Sequence, residues 1–133
     1  MAALPFARYD LYLDGLGARQ YVDDDALYVL TIRDIARLTG LDLHSTSIAR
    51  VGEGAQHGIS AQGLIVQSHI TLHGWRDCGG IMCDVVSCRE YDPEVVRRLL
   101  VERFQIGRVL RTMDWQRLAE VQRAAMAHQR GYR

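Results

Sequence analysis

The sequence contains no lysine, and all 16 of its basic residues are arginine. A chain without lysine has no amine that could anchor pyridoxal phosphate, form a Schiff base with a carbonyl substrate, or serve as a P-loop lysine. Any amine chemistry that proceeds through an imine would need a carbonyl from another source. The absence of lysine therefore excludes several common classes of enzyme.

Cysteine and net charge are also scarce. Three cysteines, an odd number, argue against a secreted disulfide scaffold, and a chain of 133 residues can bury a core without disulfides. The 16 basic and 16 acidic residues cancel and the arginines are scattered, so nucleic acid is not an expected partner. No apolar stretch approaches about 18 residues, and no signal-peptide pattern opens the chain. We expect one cytoplasmic domain over residues 1–133 that does not bind a membrane.

The first part of the chain predicts a strand and a helix. Phe6–Leu13 is aromatic and apolar, and the residues from Asp14 to Gly17 are typical of a turn. The acidic run at 23–25 suits the N-terminus of a helix, which Gly40 would end. The apolar face expected for this helix consists of Leu27, Leu30, Ile35 and Leu38.

The middle of the chain is rich in β-branched residues and glycine. This composition predicts an antiparallel meander of four short strands. The four predicted strands are Leu41–Val51, Gly58–Val66, Ser68–His73 and Ile81–Ser87. The glycines at 52, 54, 58, 63, 79 and 80 do not form a dinucleotide-binding fingerprint, and we interpret them as turn residues.

The last part predicts a helix, a strand and a second helix. Asp92 and Pro93 are typical of a helix start, and Gly107 would end that helix. Its expected apolar face consists of Val96, Leu100 and Phe104. Residues 108–113 can form a strand, and Asp114 would cap a terminal helix. The side expected to pack in that helix carries Trp115, Leu118, Val121 and Ala125.

The order of these elements predicts an α+β fold, a two-layer protomer in which helices cover one face of an antiparallel sheet. A parallel βαβ fold would need helices between successive strands, and the middle of the chain has none. The other face of the sheet would lack a cover within the protomer. A homodimer is therefore an expected assembly.

Residues that could carry chemistry gather between positions 60 and 88. Ser60, Ser68, His73 and Cys88 supply two hydroxyls, an imidazole and a thiol, which suit nucleophilic attack and proton transfer. The same residue types also occur as ordinary strand residues, so they do not define a site by themselves.

A metal site is not expected. Cys78, Cys83 and Cys88 are spaced by five residues, which matches no usual zinc pattern, although His69 and His73 are close in sequence. We interpret Cys78 and Cys83 as buried, inert thiols.

Two segments together resemble a known family. Residues 63–77 are GLIVQSHITLHGWRD, and residues 82–88 are MCDVVSC. The Ser-His pair, a second histidine five residues after the serine, the aromatic residue beyond it and Asp-Val-x-x-Cys keep the spacing of the bacterial and archaeal S-adenosylmethionine decarboxylase proenzymes. The chain is identified by this resemblance as a candidate member of that family.

The resemblance implies a proenzyme that cleaves itself between Gln67 and Ser68. Ser68 would attack the Gln67 carbonyl to give an ester, and elimination and hydrolysis would leave a pyruvoyl group at the new N-terminus. That carbonyl would replace pyridoxal phosphate in a chain without lysine. By position, His73 would remove the α-proton during processing, Ser60 would support this step, and Cys88 would give a proton to the substrate carbon after carbon dioxide leaves.

The resemblance also assigns Asp77, Ile70 and Trp75 to substrate binding, but the match is not complete. Gln67 stands where the family usually has Glu, and Gly54 stands where the family has the phenylalanine that stacks on adenine. Asp77 replaces the glutamate that binds ribose in the family. Tyr9, Tyr12 or Trp75 could supply the missing aromatic face.

One geometric difficulty concerns Ser68 and His73. An odd separation places two residues on opposite faces of a regular strand, so we expect a break in the pleat at the cleavage point.

The function implied by the resemblance is decarboxylation of S-adenosylmethionine in polyamine (spermidine) synthesis, by a homodimer whose two protomers complete the active sites. One alternative is a pyruvoyl-dependent arginine or ornithine decarboxylase with the same reactive centre. Another is an unprocessed homologue that binds a ligand without catalysis.

Overall fold

A computed structural model of the chain describes residues 8–18, 23–54, 57–116 and 118–131. Within these residues the chain forms six strands and three helices. The elements in chain order are β1 (Tyr9–Leu16), α1 (Asp25–Thr39), β2 (Leu43–Val51), β3 (Gly58–Ile65), β4 (Ser68–Trp75), β5 (Gly80–Ser87), α2 (Pro93–Phe104), β6 (Arg108–Gln116) and α3 (Leu118–Gly131).

All six strands belong to one sheet in the order β2-β3-β4-β5-β1-β6. Every neighbouring pair is antiparallel, and β2 to β5 form the meander that the sequence predicts. β1 lies between β5 and β6, so the two ends of the strand sequence meet within the sheet. The α+β class and the antiparallel sheet with helices packed on it are confirmed.

The two faces of the sheet have different surroundings. Helix α1 packs against β2, β3 and β4 and also contacts α2. We call this side the covered face and the other side the open face. In β4, Ile70 and Leu72 point to the covered face and are fully buried, whereas Thr71 and His73 point to the open face and are half-buried.

The helix starts follow the predicted signals. The Asp24 side chain accepts a hydrogen bond from the Leu27 backbone N–H (3.2 Å), and Asp92 accepts one from the Glu94 N–H (3.0 Å). The predicted face of α2, formed by Val96, Leu100 and Phe104, is completely buried. The Phe104 ring meets the Tyr28 ring edge to face, with 5.3 Å between their centroids. This contact joins the two helices above the covered face.

The predicted apolar face of α1 is wrong in part. Leu30 and Leu38 are exposed, at 50% and 46%, while Tyr28 and Ile32 are fully buried. Gly40 does end this helix, with a left-handed φ of 70°. Helix α2 ends earlier than predicted, because Gln105 rather than Gly107 takes the left-handed conformation of the C-cap.

The strand limits also need correction. β1 continues to Leu16, because it pairs with β5 on one side and β6 on the other, so the predicted turn at 14–17 is mostly strand. The predicted start of this strand at Phe6 lies outside the described residues. Gly63 lies inside β3 rather than in a turn, and a Cβ there would lie 2.6 Å from Ile32 Cγ2. Glycine at 63 allows α1 to approach the sheet.

The expected cap of the last helix is wrong. Asp114 and Trp115 belong to β6, which runs to Gln116, and the Arg97 guanidinium of α2 donates a hydrogen bond to the Asp114 carboxylate. The side chains of Leu118, Val121 and Ala125 lie outside the described residues. Within the described ranges, no helix is long and apolar enough to cross a membrane.

Candidate active site

A serine and a histidine form a hydrogen-bonded pair on the open face. The register of β3 and β4 sets Ser60 directly opposite His73, and Ser60 Oγ lies 2.8 Å from His73 Nδ1. Both side chains are half-buried. The contact fixes the imidazole ring through Nδ1, so a proton could be exchanged at Nε2. Ser60 and His73 therefore form a unit that can act as a base.

The pair borders a shallow depression of about 250 Å³ on the sheet. Gln62 and Thr71 line it beside Ser60 and His73, together with apolar residues of β2 and β3 such as Ile48 and Ala61. The ring of Trp75 lies 6.4 Å from the His73 ring, centroid to centroid, on the same face. The depression is open to a molecule that approaches from above the sheet.

A serine and a cysteine converge at the other end of β4. Val66 and Gln67 form the short turn between Ile65 and Ser68, which are paired residues of β3 and β4. The Ser68 hydroxyl donates a hydrogen bond to the Val66 carbonyl (3.0 Å), and the Cys88 thiol donates one to the same oxygen (3.4 Å). One carbonyl oxygen therefore holds both candidate groups at this turn.

The backbone just before Ser68 is in an uncommon conformation. Gln67 has a φ of 55°, in the left-handed region that residues with a side chain rarely adopt. Strained backbone of this kind is found disproportionately at functional sites. The irregularity lies at the predicted cleavage point and outside β4 itself.

Within one chain, the Ser60–His73 pair and the Ser68–Cys88 pair lie far apart. β4 pairs without a break with both neighbours from His69 to Trp75, so no change in the pleat separates Ser68 from His73. Five residues of strand span about 16 Å at roughly 3.3 Å per residue. The predicted break that would bring Ser68 to His73 within one chain is therefore not found inside the strand.

Asp84 lies on the open face and is the Asp of the Asp-Val-x-x-Cys match, but the sequence assigns it no role. It lies in β5 opposite Thr71, and His69 and His73 flank Thr71 on the same face. Burial raises the pKa of Asp84, and the charge of Asp14 adds to the rise, while the two histidines oppose it. The alternation Met82, Asp84, Val86, Cys88 could have indicated that Asp84 and Cys88 share a face.

The residues predicted to bind substrate are not gathered at one place. The side chain of Ile70 is completely buried on the covered face, away from the open face that carries Ser60 and His73. Asp77 lies in the exposed turn after β4, where Arg76 Nε is 3.8 Å from its Oδ1. Trp75 borders a second depression of about 240 Å³, which also includes Arg111.

The residues considered for stacking on a substrate base also lie in different parts of the fold. Gly54 lies in an exposed loop, and a Cβ there would have no atom within 4 Å. Tyr9 is buried and points to the covered face, whereas Tyr12 and Trp75 are half-buried on the open face. Only the last two could offer a ring to a ligand on that side.

The three cysteines have three different environments. Cys83 is fully buried on the covered face, and burial raises the pKa of its thiol, which agrees with an inert role. Cys78 is exposed, so its predicted burial is wrong, and Cys88 is partly exposed. In the part of the chain that the structure describes, no three His, Cys, Asp or Glu side chains are placed to hold a metal ion.

Comparison with known proteins finds relatives that are named either arginine decarboxylase proenzyme or S-adenosylmethionine decarboxylase proenzyme. The chain is 30% identical over 77 residues to the arginine decarboxylase proenzyme of Caldivirga maquilingensis, a match of 58% of this chain and 57% of that protein. It is 28% identical over 88 residues to the S-adenosylmethionine decarboxylase proenzyme of Prochlorococcus marinus, covering 65% and 70%. It is 31% identical over 94 residues to the arginine decarboxylase proenzyme of Ignicoccus hospitalis, covering 70% and 64%. The chain thus spans less than two thirds of either arginine decarboxylase proenzyme.

The fold and the family model agree with these relatives. The crystal structure of the adenosylmethionine decarboxylase from Aquifex aeolicus superposes with a TM-score of 0.64 at 18% identity, covering 82% of this chain and 88% of that one. At this identity the likeness shows a shared fold. The family model described as S-adenosylmethionine decarboxylase matches residues 9–117. The chain therefore belongs to the S-adenosylmethionine decarboxylase family, a family of pyruvoyl-dependent decarboxylases made as proenzymes.

Proposed function

We propose that this chain is a proenzyme that cleaves itself between Gln67 and Ser68 and then decarboxylates S-adenosylmethionine, in polyamine (spermidine) synthesis in the cytoplasm. The observation that carries the proposal is the turn at Val66, where one carbonyl oxygen accepts hydrogen bonds from both Ser68 and Cys88. The left-handed φ of Gln67 adds support, because it sets a strained peptide unit at the bond to be cut.

Processing would consume one water and release one ammonia. The Ser68 hydroxyl adds to the Gln67 carbonyl carbon, the peptide C–N bond breaks, and an ester links the two residues. Removal of the Ser68 α-proton then expels the Gln67 carboxylate, and hydrolysis of the resulting enamine leaves a ketone at the new N-terminus. The Ser68 position, with the Cys88 thiol beside it, fits such a group. Once formed, a pyruvoyl group supplies an electron-withdrawing carbonyl that accepts the electron pair released by decarboxylation.

The separation of the two side-chain pairs supports a role for a second copy of the chain. A base about 16 Å away along β4 cannot take the α-proton of Ser68 in the same chain. Cys88 continues the open-face alternation of β5, and the Val66 carbonyl holds Ser68 beside it at the edge of β4. Two copies with facing open sides would therefore let the Ser60–His73 pair of one copy meet the Ser68–Cys88 pair of the other. Large apolar side chains exposed on the open face favour such an arrangement, namely Leu64, Met82 and Met113. A homodimer with two shared active sites is therefore part of the proposal.

In this arrangement each residue has one task. Ser60 holds the His73 ring through Nδ1, so Nε2 is the atom that accepts the α-proton of Ser68 in the facing copy. Cys88, beside the new N-terminus, then protonates the substrate carbon after carbon dioxide leaves. A thiol is a suitable proton donor near neutral pH. The protonation prevents capture of the proton at the wrong carbon, which would inactivate the enzyme.

The substrate assignment rests on the residues around the depression at Trp75. Its ring is on the open face and can offer the stacking surface that Gly54 lacks, while Asp77 follows in the next turn. Stacking of a base on an aromatic ring contributes roughly 1–3 kcal/mol in nucleic-acid sites. S-adenosylmethionine therefore ranks first among the substrates proposed.

A second candidate is decarboxylation of arginine or ornithine by the same centre. The exposed loop at Gly54, which presents no ring, favours it, as do the names of two of the relatives. Release of labelled carbon dioxide from carboxyl-labelled S-adenosylmethionine, arginine and ornithine would rank the three.

The proposal is tested by mixing two inactive chains. Ser68→Ala keeps His73 but has no nucleophile, and His73→Ala keeps Ser68 but has no base. Each variant alone should remain at full length. When the two are produced together, the His73→Ala chain should be cut into fragments of 67 and 66 residues, which intact mass under denaturing conditions would resolve. The wild type should be cut under the same conditions.

A matched control identifies the shared site. The double variant Ser68→Ala, His73→Ala offers neither group and should not rescue the His73→Ala chain. A wild-type chain that stays whole on long incubation would contradict the pyruvoyl mechanism and favour a non-catalytic binding protein. Failure of rescue with normal wild-type cleavage would contradict the shared site alone.

A further inference from the structure

Among the residues that the structure describes, three carboxylates lie on the strands of the open face, and Asp84 is the one without a hydrogen-bonding partner. Asp10 accepts a hydrogen bond from Arg8 Nε (2.6 Å), and Asp14 accepts one from Arg111 Nη2 (2.9 Å). Asp84 is half-buried between these two carboxylates and forms neither a hydrogen bond nor an ion pair with any residue in the described ranges. An ionised carboxylate in such a place costs free energy unless a cation pairs with it.

The charges that face Asp84 do not neutralise it. From β1 it faces the carboxylates of Asp10 and Asp14, and from β4 it faces the imidazoles of His69 and His73. The chain has no lysine, and Arg8 and Arg111 are already paired. The Oδ1 atom of Asp10 is also buried without a hydrogen-bond partner among the described residues. Asp10 and Asp84 therefore each have carboxylate oxygen atoms on this face that could still accept a positively charged group.

Asp84 lies close to His73, which is part of the proposed active site. Asp84 is opposite Thr71 and His73 is opposite Met82, so Asp84 and His73 are diagonal neighbours across β4 and β5. Diagonal neighbours in a sheet are about 7–8 Å apart, within reach of one small ligand. A substrate held at the Ser68 position of a facing copy, beside His73, would extend its side chain over this part of the sheet.

All substrates considered above carry a positive charge on the side chain, a few bonds from the carbon that loses its carboxylate. In S-adenosylmethionine it is a sulfonium, in arginine a guanidinium and in ornithine an ammonium. We propose that Asp84 is the residue that pairs with this charge, and so selects amino acids with a cationic side chain. This inference rests on the proposed function for the identity of the ligand.

The test uses ligand pairs that differ in this charge. S-adenosylmethionine is compared with S-adenosylhomocysteine, its neutral thioether, and arginine is compared with citrulline. Binding is measured by calorimetry on the uncut Ser68→Ala chain, with and without Asp84→Asn. The chain with Asp84 should bind the cationic ligand of a pair more tightly than the neutral one. Asp84→Asn should weaken the binding of the cationic ligand by about 10- to 100-fold, with little change in the binding of its neutral partner.

Two further variants separate charge from structure. Asp84→Glu keeps the negative charge and should keep most of the preference for the cation. Asp14→Asn removes a carboxylate of the same face that Arg111 already pairs, and should leave the preference intact. Equal weakening of both ligands by Asp84→Asn, an unchanged preference, or no binding of either cation to the uncut chain would overturn the inference. Because these measurements need no cleavage, their outcome is independent of whether the wild type processes itself.

Discussion

The covered and open faces of the sheet are built from the same strands but hold different kinds of residue. On the covered face, Leu11, Leu13 and Leu72 are almost completely buried in the hydrophobic core. On the open face, the alternate positions of these strands carry Asp84, His73 and other polar groups that are only half-buried. Packing explains the covered face, but it offers no reason for a row of hydroxyl, imidazole and carboxylate groups. This difference is the one we expect if the open face carries the proposed reaction.

The largest expected effect comes from comparing two cysteines on opposite faces. Cys88→Ala should still process but should lose turnover by about 10²–10⁴-fold, as is typical for loss of a general acid. Cys83→Ala removes a buried thiol of the covered face and should retain turnover once the protein is folded. Steady-state decarboxylation by both variants provides the measurement. Normal turnover in Cys88→Ala with loss in Cys83→Ala would reverse the comparison.

Neighbouring residues of β4 provide a test by stability. Leu72→Ala leaves a cavity under the helices and should lower the free energy of unfolding by about 2–5 kcal/mol. Thr71→Ala, one residue away on the open face, should change it by about 0.5 kcal/mol or less. Urea unfolding of both variants, in the uncut Ser68→Ala background, measures the difference. Similar losses in the two variants would mean that the open face is packed as tightly as the covered one.

A smaller loss is expected where helix and sheet approach closely. Gly63→Ala adds a methyl group that would lie 2.6 Å from Ile32 Cγ2 and 2.8 Å from Leu43 Cδ1, so it should cost about 1–3 kcal/mol. Gln62→Ala on the open face is the matched control and should be close to neutral. Thermal unfolding compares the two. An unchanged melting temperature for Gly63→Ala would show that α1 can move away freely.

The smallest effect concerns a polar contact between the covering helices. Arg103 of α2 donates a hydrogen bond to Asp34 of α1 (2.6 Å), and this bond lowers the pKa of Asp34. Because the pKa is lower in the folded state, the contribution to stability is present above the ordinary aspartate pKa of about 3.9 and is lost as pH falls further. Asp34→Asn should cost less than about 1 kcal/mol at neutral pH. The difference in the free energy of unfolding between Asp34→Asn and the wild type should disappear in unfolding experiments at pH values well below the ordinary aspartate pKa. A difference that stays constant with pH would assign the effect to packing.

The sequence predicted an element well where the signals for it lie within one short segment. The start of α2 was clear because Asp92, Pro93 and an apolar repeat lie within a few turns of chain. Asp114 was misassigned because its partner, Arg97, is on another element and no local pattern shows it. The predicted end of β1 at Leu13 is too early for the same reason, since pairing on both sides extends the strand to Leu16 through residues typical of turns.

The members of the candidate site stay a prediction, and the sequence did not give their arrangement in space. The family resemblance predicts Ser60, His73, Ser68 and Cys88 as site residues, and the structure holds these four side chains as two separate pairs. The Ser60–His73 contact depends on the register of β3 and β4, which single-sequence patterns do not specify. Asp84 is part of the Asp-Val-x-x-Cys match, but the sequence gives no role for it, because its lack of a hydrogen-bonding partner is visible only when its neighbours in the sheet are known.

The position of β1 between β5 and β6 has a consequence for a chain cut after Gln67. The first fragment would carry β1, β2 and β3, and the second would carry β4, β5 and β6. Strands of the two fragments are neighbours at three places in the sheet. The ladders that would join the fragments are β3 with β4, β5 with β1, and β1 with β6. Refolding of the cut protein would be a second-order reaction, slowed by dilution, whereas the uncut chain refolds at a rate independent of concentration. Maturation would thus convert a reversible folding reaction into an assembly that depends on both pieces remaining together.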